Sequence, residues 1–279
     1  MLRTGAGAVA PLMLAAVLLA GCNSGGANTN GPATTANANG GAAKTAATPT
    51  KVADDGTIPS GTGVEKEKPE AGKGNVQGKV LYNSQPAANI EVSLCEKFNR
   101  FMGGCGGESF KARTDAAGEY LIKGVPPRTY EALTAKVFDT DYYVFATAGV
   151  VSAAKYNVEA DKTYFAPDTH LFKQDLKLQS PKAGAKVAPE NIEVKWDAYP
   201  DAAYYKFGVY ADSSSGAQTN YDYINRRVDG TSFTLDKPLA AGTYTVRVDA
   251  FNGSDQKLSQ SPGDIKFTVT GGAPSGAAK

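Results

Sequence analysis

Between Asn75 and Thr270 the chain is a series of short runs in which apolar residues take alternate positions, each closed by glycine, proline, asparagine or aspartate. In NIEVSL, Ile90, Val92 and Leu94 share one face, with Glu91 and Ser93 on the other. Ile192, Val194 and Trp196 repeat the spacing, as do Tyr205, Phe207 and Val209, and then Tyr244, Val246, Val248 and Ala250. Period two marks strands, because successive side chains point to opposite faces of a sheet. Many short strands without a sustained 3.6-residue period predict an all-β chain of antiparallel sheets packed face to face. The 14 tyrosines, 31 glycines and 15 prolines suit strands joined by turns. TYEALTAKV drifts from alternation, which predicts a bulge or a strand covered on both faces.

Outside those runs the chain is different. From Asn23 to about Gly74 it is alanine, glycine, asparagine, threonine and proline, ending in the charged GVEKEKPEAGKGN. With so few large apolar groups, nothing offsets a backbone ordering entropy of about 1–2 kcal/mol per residue. Residues 22–74 are therefore expected to form a disordered tether, or a recognition segment that folds on binding. About 50 flexible residues reach roughly 40 Å, and about 170 Å when stretched. Two folded domains follow, 75–178 and 179–270, with a disordered tail at 271–279.

At the other end, Met1–Arg3 supplies one positive charge and Ala6–Ala20 an apolar core broken only by Pro11. That run is shorter than the about 20 residues a bilayer span needs, and it suits an export signal covering residues 1–21. Leu19-Ala20-Gly21-Cys22 resembles the lipobox of bacterial lipoprotein signal peptides. The resemblance implies cleavage before Cys22, a diacylglyceryl thioether on its sulfur and acylation (palmitate) of the new amine. The protein's membrane partner would then be reached through lipidated Cys22. Each buried methylene contributes about 0.8 kcal/mol, so two or three chains hold a bilayer stably where one does not. An ordinary secretory leader with an incidental cysteine is the alternative. Asn23 stands where inner-membrane retention commonly uses aspartate, so in a two-membrane cell the outer membrane is favoured.

The first domain opens with Gly78 and Val80 and continues with ARTDAAGEYLIKGVPPRTY. Asp115 suits an Asx-type turn and Gly118 a positive φ, while Tyr120 and Ile122 re-enter a strand. These residues resemble the carboxypeptidase regulatory-like (transthyretin-like) family, through Thr114, Asp115, Gly118, Tyr120, Pro126, Pro127 and Tyr130. The pattern departs at Gln85-Pro86-Ala87, which lacks the glycine before proline, and at Arg128, which replaces a glycine. The resemblance implies a prealbumin-like, non-catalytic β-sandwich. Cys95 and Cys105 remain, and export would put them in an oxidising compartment where pairing is expected. Their spacing is not Cys-x-x-Cys, so a structural staple is preferred to a redox pair. The loop between them carries Phe98, Arg100, Phe101 and Met102, which would either form a contact surface or tuck back on the sheet.

The second domain has Trp196 on its second strand, Ala202 and Tyr205 in an A-x-x-Y pattern, and Leu239 with Tyr244. It resembles the fibronectin type III family, with Ala241 where a proline is usual, which implies an immunoglobulin-like sandwich. Trp196 is then a core residue. NYDYINRR differs: Tyr221, Tyr223 and Arg226, with Arg227, are candidate ligand contacts of the kind surfaces use for glycan rings or protein. Alternation alone would make both tyrosines a packed strand face.

The net charge is +1, and zero once the leader with Arg3 is removed. A neutral chain exerts no long-range pull on phosphate backbones, so no nucleic-acid partner is expected. His170 is the one histidine, there is no nucleophile elbow, and Asp139 and Asp141 lack the spacing of a calcium loop. No enzyme activity, metal or cofactor is expected. The reading is a lipid-anchored envelope protein whose two sandwiches contact protein or glycan in an adhesive, scaffolding or accessory role. The alternative is a glycan-binding component of a surface polysaccharide-handling system.

Overall fold

The computed structural model describes residues 53–99, 104–146, 154–263 and 265–271. Cys22, the expected export signal at 1–21, most of the expected tether, Phe101 and the expected tail from residue 272 lie outside them. The described chain is all-β, in two sandwiches.

In the first sandwich, one sheet has Glu91–Phe98 and Ala132–Lys136 at its centre, with Cys105–Arg113 and Tyr143–Phe145 at its edges, all antiparallel. The facing sheet is built on Gly74–Tyr82. This strand pairs antiparallel with Glu119–Val125 and parallel with Thr163–Phe165 and Thr169–Leu171. A third, smaller sheet joins Arg128–Tyr130, Lys155–Val158 and Thr57–Ile58. Val76, Val80, Tyr120 and Ile122 pack against Val92, Leu94, Leu133 and Ala135 in the core. Each fully buried side chain of this size contributes about 1.5–3 kcal/mol. The drift in TYEALTAKV has a simple cause. At Glu131 the chain leaves the small sheet and enters the four-stranded one, where Ala132, Leu133, Thr134 and Ala135 are all buried.

Local chemistry fixes the turns. Asp115 Oδ1 accepts from the N–H groups of Ala117 and Glu119, each at 2.9 Å. Gly118 has φ +72°, and a Cβ there would lie 2.6 Å from the Val80 carbonyl oxygen. Thr114 Oγ1 donates to the Ala87 carbonyl and accepts from Ile90 N–H, at 2.6 and 2.8 Å. The Tyr130 hydroxyl donates to the Pro126 carbonyl, at 2.9 Å.

Two expected boundaries move. Residues 53–74, assigned by composition to the tether, lie ordered on the first sandwich. Ile58 is fully buried, and the Gln77 side chain accepts from Lys66 N–H and donates to the Val64 carbonyl. Lys66 Nζ reaches Asp115 at 2.7 Å and Glu119 at 2.8 Å. Apolar content missed this because polar side chains of the sandwich capture the segment's backbone. The boundary at 178 also moves back, because Phe172 packs on the first core while Leu176 belongs to the second.

In the second sandwich, Leu178–Ser180, Glu193–Trp196 and Ser232–Thr234 form a three-stranded antiparallel sheet. It faces a six-stranded sheet with Tyr204–Ala211 and Gly242–Phe251 at its centre. Arg226–Val228 borders the first of these, while Ile265–Val269 and Lys257–Gln260 border the second. Lys186–Val187 completes the sheet at the far side of Ile265–Val269. Trp196 sits in the core, 5.4 Å from the Tyr205 ring and 6.3 Å from Phe207. The Tyr244 hydroxyl donates to the Ala240 carbonyl at 2.9 Å, four residues back, as Tyr130 does in the first sandwich.

The sandwiches meet at the two-residue turn Asn83–Ser84. Asn83 Nδ2 donates to Asp201 at 3.0 Å, its Oδ1 accepts from Asn252 at 2.9 Å, and Ser84 Oγ donates to Gln256 at 2.7 Å.

Candidate functional site

The stapled hairpin leads to the site. Cys95 and Cys105 are joined by a disulfide with Cα atoms 5.1 Å apart. The hairpin is fastened further by Arg128. Its guanidinium pairs with Glu96 at 3.1 Å and with Glu108, and lies over the Tyr130 ring. Phe98 N–H donates to Glu131 Oε2 at 3.0 Å, which holds the strand end.

Phe98 does not stand alone. Its ring lies 5.1 Å from Phe145 and 5.7 Å from Tyr143, and those two rings are 5.7 Å apart, all edge to face. Tyr143 and Phe145 are 36% and 40% exposed, while Val144 between them points into the core. Alternation in YVF therefore places two aromatics on the outside of the four-stranded sheet. Edge-to-face rings with centroids about 4.5–7 Å apart are a favoured arrangement, and they present a fixed apolar patch.

Next to this patch lies a shallow cleft of about 260 Å³, lined by Glu91, Ser93, Thr134, Lys136, Asp141 and Tyr143. Register explains the grouping: Ser93 faces Thr134, and Lys136 faces Tyr143. Glu91 pairs with Lys111 at 2.9 Å and with Arg113 at 3.7 Å. The Lys111 hydrogen bond holds the Glu91 carboxyl below the usual range against the opposing effect of burial, with the charges of Arg113 and Lys136 helping. Glu91 is therefore a fixed anion at neutral pH. The cleft offers hydroxyls, one carboxylate pair and an ammonium beside an aromatic wall, which suits hydrogen bonding and ring contact.

The other predicted contacts separate. Tyr221 is 83% exposed, at the start of a 3₁₀ turn that runs Tyr221–Tyr223 and is capped by Asn220 Oδ1 accepting from Asp222 N–H. Tyr223 is fully buried and is corrected to a core residue. Its hydroxyl donates to Asp236 Oδ1 at 2.7 Å and accepts from Lys237 N–H at 2.7 Å. Burial, then the Asp236 carboxylate, pushes its hydroxyl up to about 12. Arg226 lies over the Phe233 ring at 4.4 Å, so it packs on the sandwich edge. The turn, not a strand, decides which tyrosine faces out. Sequence reasoning missed Tyr143 and Phe145; the exposed parity of YVF was the available signal.

His170 is exposed on the strand Thr169–Leu171, beside Leu81. Among the described residues no three His, Cys, Asp or Glu groups converge to hold a metal, and no helix is long and apolar enough to cross a membrane.

No family model matches the chain, and no curated protein matches it. Among solved structures it is similar to the fibronectin(III)-like modules of Clostridium thermocellum CbhA. That likeness has 16% identity over 34% of this chain and 93% of that one, at TM-score 0.26. It is similar also to the FN1–FN3 domains of chicken CNTN1, at 16% identity over 73% and 67% of the chains and TM-score 0.25. The full-length major pilin SpaD of Corynebacterium diphtheriae is similar at 10% identity over 70% and 64%, TM-score 0.26. At such TM-scores these likenesses assign neither ligand nor activity, and the all-β architecture stands on the strand pairing itself.

Proposed function

We propose that this is a non-catalytic, lipid-anchored cell-envelope protein that displays its two sandwiches for contact with protein or glycan. The first sandwich is read as carboxypeptidase regulatory-like and the second as fibronectin type III-like. Cys22 carries the lipid, with the outer membrane as the favoured layer, and the tether lifts the sandwiches clear of the headgroups. The observation that carries the contact role is the Phe98–Tyr143–Phe145 patch beside the Ser93–Thr134 cleft, on a sheet stiffened by a disulfide. A rigid, partly exposed aromatic patch next to fixed polar groups is the composition of a contact surface.

The alternative, a glycan-binding component of a polysaccharide-handling system, is favoured by the same cleft, where hydroxyl and charged groups adjoin Tyr143. A glycan array probed with the purified full chain tests both. Saturable binding that is lost in Tyr143→Ala supports the glycan reading. Binding that survives Tyr143→Ala and Phe145→Ala together overturns the assignment of this face. Mass spectrometry of membrane-extracted protein reads the Cys22 modification directly, and an unmodified Cys22 ends the anchor proposal.

A further inference from the structure

The outer face of the six-stranded sheet carries a second, differently built surface. Tyr205, Phe207 and Val209, and Val246, Val248 and Ala250, point into the core, so the residues between them point outward. Those outward positions are unusually cationic for a neutral chain. Lys206 faces Arg227 on one neighbouring strand and Asp249 on the other, Arg247 faces Gly208, and Lys266 faces Thr245. Asp249 is already paired with Lys257 at 2.9 Å, and Arg227 with the exposed Asp229 at 3.4 Å. Among the described residues, Lys206, Arg247 and Lys266 have no carboxylate within ion-pair reach.

The cations are also held in place. Tyr204 and Phe251 stack with centroids 5.1 Å apart and planes 3° from parallel. Arg227 lies 3.9 Å over Tyr204, and Lys206 lies 4.9 Å over Phe251. Such cation–ring contacts order the charged heads before any ligand arrives. Tyr210 lies across Gly208, since a Cβ there would meet its hydroxyl at 2.6 Å, so the floor beside Arg247 is flat and carries a phenol.

From this charge pattern we propose that the outer face of the six-stranded sheet binds an acidic polysaccharide, with Lys206, Arg227, Arg247 and Lys266 meeting its carboxylates. Several features favour that class. Strands about 4.8 Å apart, with outward residues about 6.8 Å apart along each, give a flat, predominantly cationic lattice, interrupted by the Lys257-paired Asp249, that matches an extended, repeating polyanion. Protein interfaces are depleted of lysine. Cations cover the Tyr204–Phe251 stack, which leaves nucleic-acid bases the half-buried Tyr210 to stack on, and a six-stranded sheet does not enter a groove. This face offers no exposed apolar side chain to enter a bilayer. The site is separate from the Tyr143 cleft, and neither reading depends on the other.

The test uses the full-length chain carrying Cys22→Ser, which takes the proposed anchor out of the assay. Polygalacturonate is the probe, with neutral dextran, single-stranded DNA and phosphatidylglycerol vesicles as comparisons. Saturable binding of polygalacturonate that weakens with salt is expected, with none of dextran. Arg227→Gln with Arg247→Gln should weaken it about tenfold. Lys266→Gln, which removes an exposed charge unconnected to the ring stack, should weaken it on its own. Lys195→Gln, on the opposite sheet, and Tyr143→Ala should leave it unchanged. Absence of polygalacturonate binding, equal binding by the lysine and arginine variants, or equally tight DNA or vesicle binding each overturns the proposal.

Discussion

Gly78 and Tyr120 face each other across paired strands, and the Tyr120 hydroxyl sits 2.5 Å from where a Cβ on residue 78 would lie. The two are 42 positions apart in the chain, yet the glycine is missing a side chain so that the ring can lie over it. The Tyr120 hydroxyl is buried and has no hydrogen-bond partner among the described residues. Two substitutions should therefore act in opposite directions. Gly78→Ala should destabilise the first sandwich by about 1–3 kcal/mol, because the ring must move within a packed core. Tyr120→Phe should be neutral or stabilising, since it removes an unpaired polar atom and keeps the shape. Thermal melts of both variants check this, and a destabilised Tyr120→Phe would show that the hydroxyl has a partner.

The disulfide should act on the contact face as well as on stability. Cys95 and Cys105 are ten positions apart, and the chain-entropy account gives about 2.8 kcal/mol for a loop of that size. Cys95→Ala with Cys105→Ala should lower stability by up to about that amount. Phe98 lies on the stapled hairpin, so its packing on Tyr143 and Phe145 should loosen too. Melting with and without reductant, together with near-ultraviolet circular dichroism, reads both effects.

Tyr221 and Tyr223 look equivalent in NYDYINRR, and the structure predicts that they are not. Tyr223→Phe should cost about 0.5–1.5 kcal/mol, because its hydroxyl no longer bonds Asp236 and the Lys237 N–H, both on exposed residues. Tyr221→Ala should stay within about 0.5 kcal/mol of the parent. Denaturant titration of the two variants separates them, and equal values would contradict the burial of Tyr223.

Acid should weaken the fold at the Asp115 turn. Its carboxylate accepts from Lys66 and from the N–H groups of Glu119 and Ala117, and these hold its pKa below the usual 3.8. A carboxyl lowered in the folded state stabilises fully above its unfolded value. That contribution fades as pH falls from about 3.8 through the folded value. Asp115→Asn keeps an acceptor for the turn but loses the charge. The variant should be less stable than the parent at neutral pH and converge with it below that window. Paired melts from pH 7 to pH 2 check the convergence, and a constant offset would assign the effect to the turn alone.

The parts of this fold written locally were legible in the sequence. Alternation gave the core residues Val92, Leu94, Trp196 and Val246, and turn chemistry gave Asp115 and Gly118. What escaped depends on distant partners. Ile58 is one apolar residue in a polar stretch, and only its pairing beside Tyr156 makes it core. Tyr143 and Phe145 become a patch only when Phe98 arrives from another strand. The cations of the six-stranded sheet are scattered over four segments, and strand register alone gathers them.

That register also couples the two sandwiches. Asn83 and Ser84 have φ of +50° and +63°, the conformation of a two-residue hairpin turn with both central residues left-handed. The turn's side chains bond Asp201, Asn252 and Gln256, and the Tyr82 and Tyr199 hydroxyls meet at 3.4 Å. Tyr199 in turn donates to Asp175 at 2.9 Å, and burial raises its pKa, so the hydroxyl stays protonated at neutral pH. Asn83→Gly keeps the backbone conformation at no steric penalty while deleting two of these hydrogen bonds. With each net hydrogen bond contributing about 1 kcal/mol, combining it with Tyr199→Phe should remove a few kcal/mol of coupling while keeping the ring that packs on the second core. Calorimetry should then resolve separate transitions for the two sandwiches, and scattering should show a broader distribution of their separation. An unchanged melting profile and an unchanged scattering curve would mean that the linking segment around Lys173, rather than the Asn83 turn, holds the two bodies together.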